Sequence, residues 1–155
     1  MQLDEAKRKF IQSWGTLGTD WGISRTMAQI HALLLISPDP MNAEEVMQQL
    51  QISRGNANMN LRALIDWGLV YKALKPGERK EFFEAEKDVW EVVRKIIIQR
   101  RRKELEPALR MLDEVSRVDG DTAEVEEFKK VVQDIQLFSR KADKTLDTLV
   151  KADSN

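Results

Sequence analysis

Cysteine is absent from the 155-residue chain. Disulfides, thiolate catalysis and zinc–sulfur sites are thereby excluded, and a reducing compartment fits. There is one histidine, His31. A transition-metal site would have to rest on carboxylates, and none cluster at ligand spacing. No Ser-His-Asp set, P-loop or glycine-rich dinucleotide loop occurs, so neither enzyme activity nor a cofactor is expected. Long hydrophobic runs are missing as well. The longest, Ala32 to Ile36, is far too short to cross a bilayer. Asp4, Glu5, Lys7, Arg8 and Lys9 crowd the first residues in place of an apolar stretch, so no signal peptide is expected. A cytoplasmic protein without membrane partners is the default.

The hydrophobic fraction is 42% and the charged fraction 33%, a balance that suits a helix-rich globular chain rather than a disordered one. Net charge is only −1, yet the charge is polarised. Residues 53–80 carry six cations and two anions, whereas residues 113–127 carry one cation and seven anions. Such a chain can bind phosphate with one region and repel it with another.

Helical periodicity is clear over 4–19, where Ala6, Phe10, Trp14 and Leu17 recur at steps of three and four. Gly15, Gly18 and Gly22 predict a break near Thr19 to Gly22. Ser24 caps a second helix over 25–37 whose inner face holds Met27, Ile30, His31 and Leu34. His31 on that apolar face reads as a hydrogen-bonded core residue. Ser37-Pro38-Asp39-Pro40 ends the helix. Asn42 and Glu45 form a capping-box pattern opening a third helix to about Gln51, with Ala43, Val46, Met47 and Leu50 inward. Ile52-Ser53 makes a turn, Ser53 caps a fourth helix over 54–67, and Gly68 closes it. Residues 69–74 and 81–84 are short strands around a Pro76-Gly77 turn.

A long helix is expected from Lys87 to Val118, with a kink or break near Glu104 to Glu106 caused by Pro107. After Gly120 a last helix over 122–150 is expected, capped by Asp121. Its seam of Val125, Phe128, Val132, Ile135, Ser139, Ala142, Leu146 and Leu149 is of the kind that packs along another helix. Residues 153–155 are expected to fray. Arg94, Lys95 and the run Arg100 to Lys103 form a second basic stretch, read as a solvated helix face paired with acids, with extra DNA-backbone contacts as the alternative.

The order helix, turn, helix, hairpin is that of a winged helix-turn-helix. On the fourth helix Ala57, Leu61, Leu64 and Ile65 share one face and should be buried. Gly55, Met59, Arg62 and Ala63 lie opposite, flanked by Asn56 and Asn58. Asparagine can pair with adenine and arginine with guanine in the major groove. Ser53, Arg54 and the free amides of the first turn suit a phosphate oxygen. Lys75, Arg79 and Lys80 cluster at the hairpin tip, where an arginine can enter a narrow minor groove. Winged helices also serve as protein-binding adaptors, and basic residues are often only solvated surface, so that alternative stands beside DNA binding.

The stretch from Ser53 to Leu64, followed by Asp66-Trp67-Gly68-Leu69-Val70, resembles the recognition helix and first wing strand of the MarR superfamily. The GbsR-like branch is the nearer match, through Trp21-Gly22-Ile23 leading to Arg25, Ile30 to Leu34, and Gly77-Glu78-Arg79-Lys80 running into Phe82-Phe83-Glu84-Ala85-Glu86. The resemblance covers about residues 8–115. It implies a mainly α fold, with a winged helix-turn-helix, a small β-hairpin wing and terminal dimerisation helices. It also implies a homodimeric transcription regulator, usually a repressor, on a near-palindromic operator. By position it places Ser53, Arg54, Asn56, Asn58 and Arg62 toward the major groove and makes Arg79 the wing arginine. Many wings of that family carry aspartate two residues before this arginine; here Gly77 stands there and Glu78 is adjacent.

The expected division is 1–22 for an N-terminal dimerisation helix, 23–86 for the DNA-binding domain and 87–155 for C-terminal dimerisation helices. Two reading helices must stand about 34–36 Å apart to fill both half-sites. The GbsR-like resemblance further implies choline or a related osmolyte as effector. A quaternary ammonium needs an aromatic cage, and Phe10, Trp14, Trp21 and Trp90 are the candidates. The competing reading is that these rings are ordinary packing.

Overall fold

In the computed structural model, residues 1–152 are described; the expectation for residues 153–155 lies outside them. The elements are α1 (Leu3–Asp20), α2 (Arg25–Ile36), β1 (Met41–Asn42), α3 (Ala43–Leu50), α4 (Arg54–Asp66), β2 (Val70–Ala73), β3 (Phe82–Ala85), α5 (Val89–Arg100), a π-helical turn (Arg101–Leu105), α6 (Glu106–Val115) and α7 (Ala123–Lys151). They fall into two compact units, Met1–Val92 and Val93 onward. Among the described residues, no helix is long and apolar enough to cross a membrane.

The first unit is a mainly helical winged helix-turn-helix. Its core is built on α2, whose Ile30, Ala32 and Leu34 are fully covered, together with Val46, Ala57, Leu61, Leu64, Leu69 and Val70. Helix α1 packs lengthwise on α2. Glycine makes the close approach possible: a Cβ on Gly18 would stand 2.5 Å from Cβ of Ala28. Ser24 caps α2 by accepting from the Met27 amide at 3.1 Å. The capping box at α3 is complete, with Glu45 N–H donating to Asn42 Oδ1 at 2.9 Å and Asn42 N–H to Glu45 Oε1 at 3.1 Å. Ser53 Oγ accepts from the Asn56 amide at 3.1 Å and opens α4.

The wing differs from a plain two-stranded hairpin. It is a three-stranded antiparallel sheet in the order β1-β3-β2, with Met41 opposite Phe83 and Val70 opposite Ala85. Strand β1 is only two residues long, too short to show any periodicity in sequence. At the wing tip Glu78 N–H donates to the Lys75 carbonyl at 3.1 Å, and Gly77 has φ +81°, a type II turn with proline second.

In the second unit the irregularity expected near 104–106 of the long helix is a π-helical turn over Arg101–Leu105. Pro107 lacks an N–H and its ring crowds the carbonyl four residues earlier. The chain responds by widening the preceding turn, so that Glu106 N–H reaches back to the Arg101 carbonyl. Helix α7 is capped by Thr122, not Asp121: Thr122 Oγ1 accepts from Val125 N–H at 3.2 Å. The expected seam on α7 also divides. Val132 and Gln136 are buried, and Gln136 Nε2 donates to Asp113 at 2.8 Å, while Phe128, Ile135 and Leu149 face outward. The run of basic residues is engaged in part. Arg101 bonds Asp143 at 2.9 Å and Asp147 at 3.2 Å, and Arg100 pairs with Glu104 at 3.0 Å.

Candidate nucleic-acid interface

Helix α4 owes its orientation to its apolar face. Ala57, Leu61 and Leu64 are buried and Ile65 is half-buried, which turns the opposite side outward. Ser53, Arg54, Gly55, Asn58, Met59 and Arg62 are all exposed on α4 and its cap. Nothing lies within 4 Å of a Cβ placed on Gly55. Met59 is 64% exposed, unusual for a large apolar side chain in the middle of a helix. No ion pair or hydrogen bond holds Arg62 or Arg79 among the described residues.

Asn56 behaves differently from its neighbours. It is half-buried, and its Oδ1 accepts from Asn60 Nδ2 at 2.8 Å. Asn60 is 6% exposed and also donates to the Asn56 carbonyl at 2.9 Å. Its Oδ1 accepts from Ser24 Oγ at 3.3 Å, the same hydroxyl that caps α2. The rotation of α4 about its axis is therefore tied to the start of α2. Asn60 is not among the residues singled out from sequence, although it stands beside Leu64 at the edge of the core face of the helical wheel. A polar residue at a core position was the available signal.

The hairpin residues are placed unequally. Arg79 and Lys80 are exposed. Lys75 folds back, with its Nζ 4.5 Å from the ring centroid of Phe82. Glu44 at the start of α3 was not foreseen either. It accepts from Arg54 at 3.4 Å and from Lys80 at 3.2 Å, joining the first turn of α4 to the wing. Lys80, and then Arg54, hold its carboxyl below the usual glutamate range. The three side chains line a groove of about 210 Å³ with Asn42, Asn58 and Phe83. This contact is tertiary and leaves no mark in the local sequence.

Of the four rings considered for an effector cage, two are in contact. Phe10 and Trp14 stack at 5.6 Å along α1. Trp21 follows Trp14 two turns later, about 10 Å along the axis, at the half-exposed C-cap of α1. Trp90 is half-exposed at the start of α5. Trp14 is committed to another partner: its Nε1–H donates to His31 Nδ1 at 3.2 Å. That bond fixes the proton of neutral His31 on Nε2, which is buried without an acceptor. Burial pushes the His31 pKa down to about 4. A wider cleft of about 710 Å³ lies against α1 and the α2–β1 loop, but Asp4, Lys7, Arg8, Asp39 and Lys75 line it, and none of the four rings does.

Comparison with solved structures bears on the fold. The crystal structure of a transcriptional regulator superposes with a TM-score of 0.69 at 17% identity, covering 94% of this chain and 95% of that one. A mutant of S. aureus MepR bound to an oligodeoxyribonucleotide gives a TM-score of 0.44 at 16% identity over 88% of this chain and 91% of its own. The regulator Tm0710 from Thermotoga maritima gives 0.44 at 17% identity over 88% and 89%. No family model matches the sequence, and no curated protein does.

Proposed function

We propose that this chain is a sequence-specific DNA-binding transcription regulator of the MarR type, from the GbsR-like branch, acting as a cytoplasmic homodimeric repressor on a near-palindromic operator. One observation carries the reading: a helix face with Arg54, Asn58, Met59 and Arg62 and a wing with Arg79 and Lys80 are displayed outward in a helix-turn-helix. Helix α4 would enter the major groove and Arg79 the minor groove. Ser53 and Arg54 would position the helix on phosphates. Lys75, bent over Phe82, would contribute charge rather than a base contact. Asn56 would support Asn60 before it reads a base.

A second reading, a winged-helix adaptor for protein, draws on Met59 and on Leu74, which is 98% exposed at the wing. Selection of bound duplexes from a random pool separates the two. A palindromic motif bound with an affinity that falls steeply with salt supports the DNA reading; no enrichment and a flat salt response support the adaptor. An effector remains part of the proposal only as a small ligand able to shift the dimer between states. Choline at millimolar concentration that leaves the melting temperature and duplex affinity unchanged removes the osmolyte assignment.

Glu44 supplies a further check. Its carboxylate neutralises two cations of the proposed interface. Glu44→Gln should raise affinity for any duplex and steepen the log–log salt slope by about one unit. An unchanged slope in a folded variant would mean that Arg54 and Lys80 do not meet phosphate.

A further inference from the structure

The polar groups that join α2 to α4 form a chain in which each proton has a fixed direction. The Met27 amide can only donate, so Ser24 Oγ accepts from it at 3.1 Å and gives its own proton to Asn60 Oδ1 at 3.3 Å. At the other end the Asn56 carbonyl can only accept, so the Asn60 atom 2.9 Å from it is Nδ2. That Nδ2 also lies 2.8 Å from the Asn56 side chain, which must therefore turn its Oδ1 toward it. Backbone groups thus set both amide orientations, and burial of Asn60 keeps the arrangement away from water.

What Asn56 has left to offer is its Nδ2. Among the described residues no acceptor holds that group, and it is not buried. Asn56 stands in the first turn of α4, beside the outward row of Gly55, Met59 and Arg62. At about 100° per residue Asn58 falls on the other flank of the same row. Asn58 is exposed and, among the described residues, makes no hydrogen bond through its side chain.

On the DNA-binding reading above, we propose that Asn56 reads the major groove as a donor only: on the strand it faces it takes a base with a keto oxygen, guanine or thymine. Asn60 is the positioning residue that imposes this choice. Bidentate pairing of asparagine with adenine uses the amide nitrogen on N7 and the amide oxygen on the N6 amino group. The oxygen of Asn56 is turned to Asn60, so the amide cannot lay both atoms against one base edge. Guanine O6 and N7 and thymine O4 all accept. Adenine would leave its amino group without a partner, and cytosine would set donor against donor. Asn58, untethered, keeps both atoms for adenine.

Two variants separate the reader from the positioner. Asn56→Asp keeps the acceptor for Asn60, and an acid in the first turn of a helix is favourable, so the fold is retained. It turns an acceptor outward in place of a donor. Selection from a random duplex pool should then move one position of each half-site from guanine or thymine to cytosine or adenine, by roughly fivefold or more, whatever general affinity the added charge removes. Asn60→Leu leaves Asn56 in place but releases its amide to rotate. The same position should broaden to admit adenine, whereas a merely structural role for Asn60 would weaken all positions alike.

A motif in the parent chain that Asn56→Asp leaves unaltered overturns the donor-only assignment while the DNA reading stands. So does adenine in the parent at the position this variant changes. Uniform loss on every sequence assigns Asn56 to phosphate and overturns it as well. No motif in the parent removes both readings.

Amide exchange supplies a readout without DNA. In the free full chain, nuclear magnetic resonance should show the Asn60 Nδ2 protons exchanging with water on the order of tenfold more slowly than those of Asn56. Equal rates, or slower exchange at Asn56, overturn the assignment whatever the duplex selection gives. Asn56→Asp and amide exchange decide it even where Asn60→Leu does not fold.

Discussion

Arg62→Ala is expected to weaken binding to the selected duplex by about 1–3 kcal/mol, roughly 5- to 150-fold, with little change on random duplex. The expectation follows from position. Arg62 lies opposite Leu64, which is 1% exposed, and among the described residues it spends none of its donors on the protein. A guanidinium free to present two parallel N–H groups is suited to the O6 and N7 edge of guanine, a contact that other bases do not offer. The loss should be confined to one base-pair position in each half-site, and the salt slope should stay nearly constant. Equal loss on selected and random duplex would show that Arg62 holds phosphate. An undiminished affinity would move the reading face elsewhere on α4.

Acid should destabilise the first unit as pH falls from 6.5 toward about 4, because of His31. Its pKa is about 4 in the fold against an ordinary 6.5, so the unfolded chain binds more protons between those values. Stability contributed by neutral His31 is whole above pH 6.5 and falls as pH drops toward 4, by on the order of 3 kcal/mol in total. The structural reason is plain. Protonation puts a donor on Nδ1, where Trp14 already donates, and leaves an uncompensated charge between α1 and α2. Urea midpoints measured from pH 7 to pH 5 isolate the effect, since Glu44 and Asp147, both depressed, lose their contributions only below the usual carboxylate range. His31→Gln keeps an acceptor for Trp14 and does not titrate. Its stability should be flat over that window; a slope equal to that of the parent chain would assign the acid sensitivity elsewhere.

Residues whose role is local were legible from sequence. The caps at Ser24, Asn42 and Ser53, the buried row of Ala57, Leu61 and Leu64, and the Pro76-Gly77 turn each follow from neighbours within a few positions. The winged architecture follows from their order. What could not be read depends on distant partners. Met41 and Asn42 become a strand only because β3 lies beside them. Glu44 gains meaning only when the wing brings Lys80 to it. The division of the α7 seam into a covered and an uncovered side depends on where α6 packs. Asn60 is a different case: it stood on the core face of the wheel, and its position rather than its type identifies it as a structural partner of Ser24 and Asn56.

That link has a mechanical consequence. Besides its apolar packing, helix α4 is joined to the beginning of α2, the helix on which α1 rests, by a hydroxyl that also holds the first turn of α2 together. A shift of the start of α2 would pull on Asn60 and so turn α4 about its axis, carrying the exposed Met59 and Arg62 together.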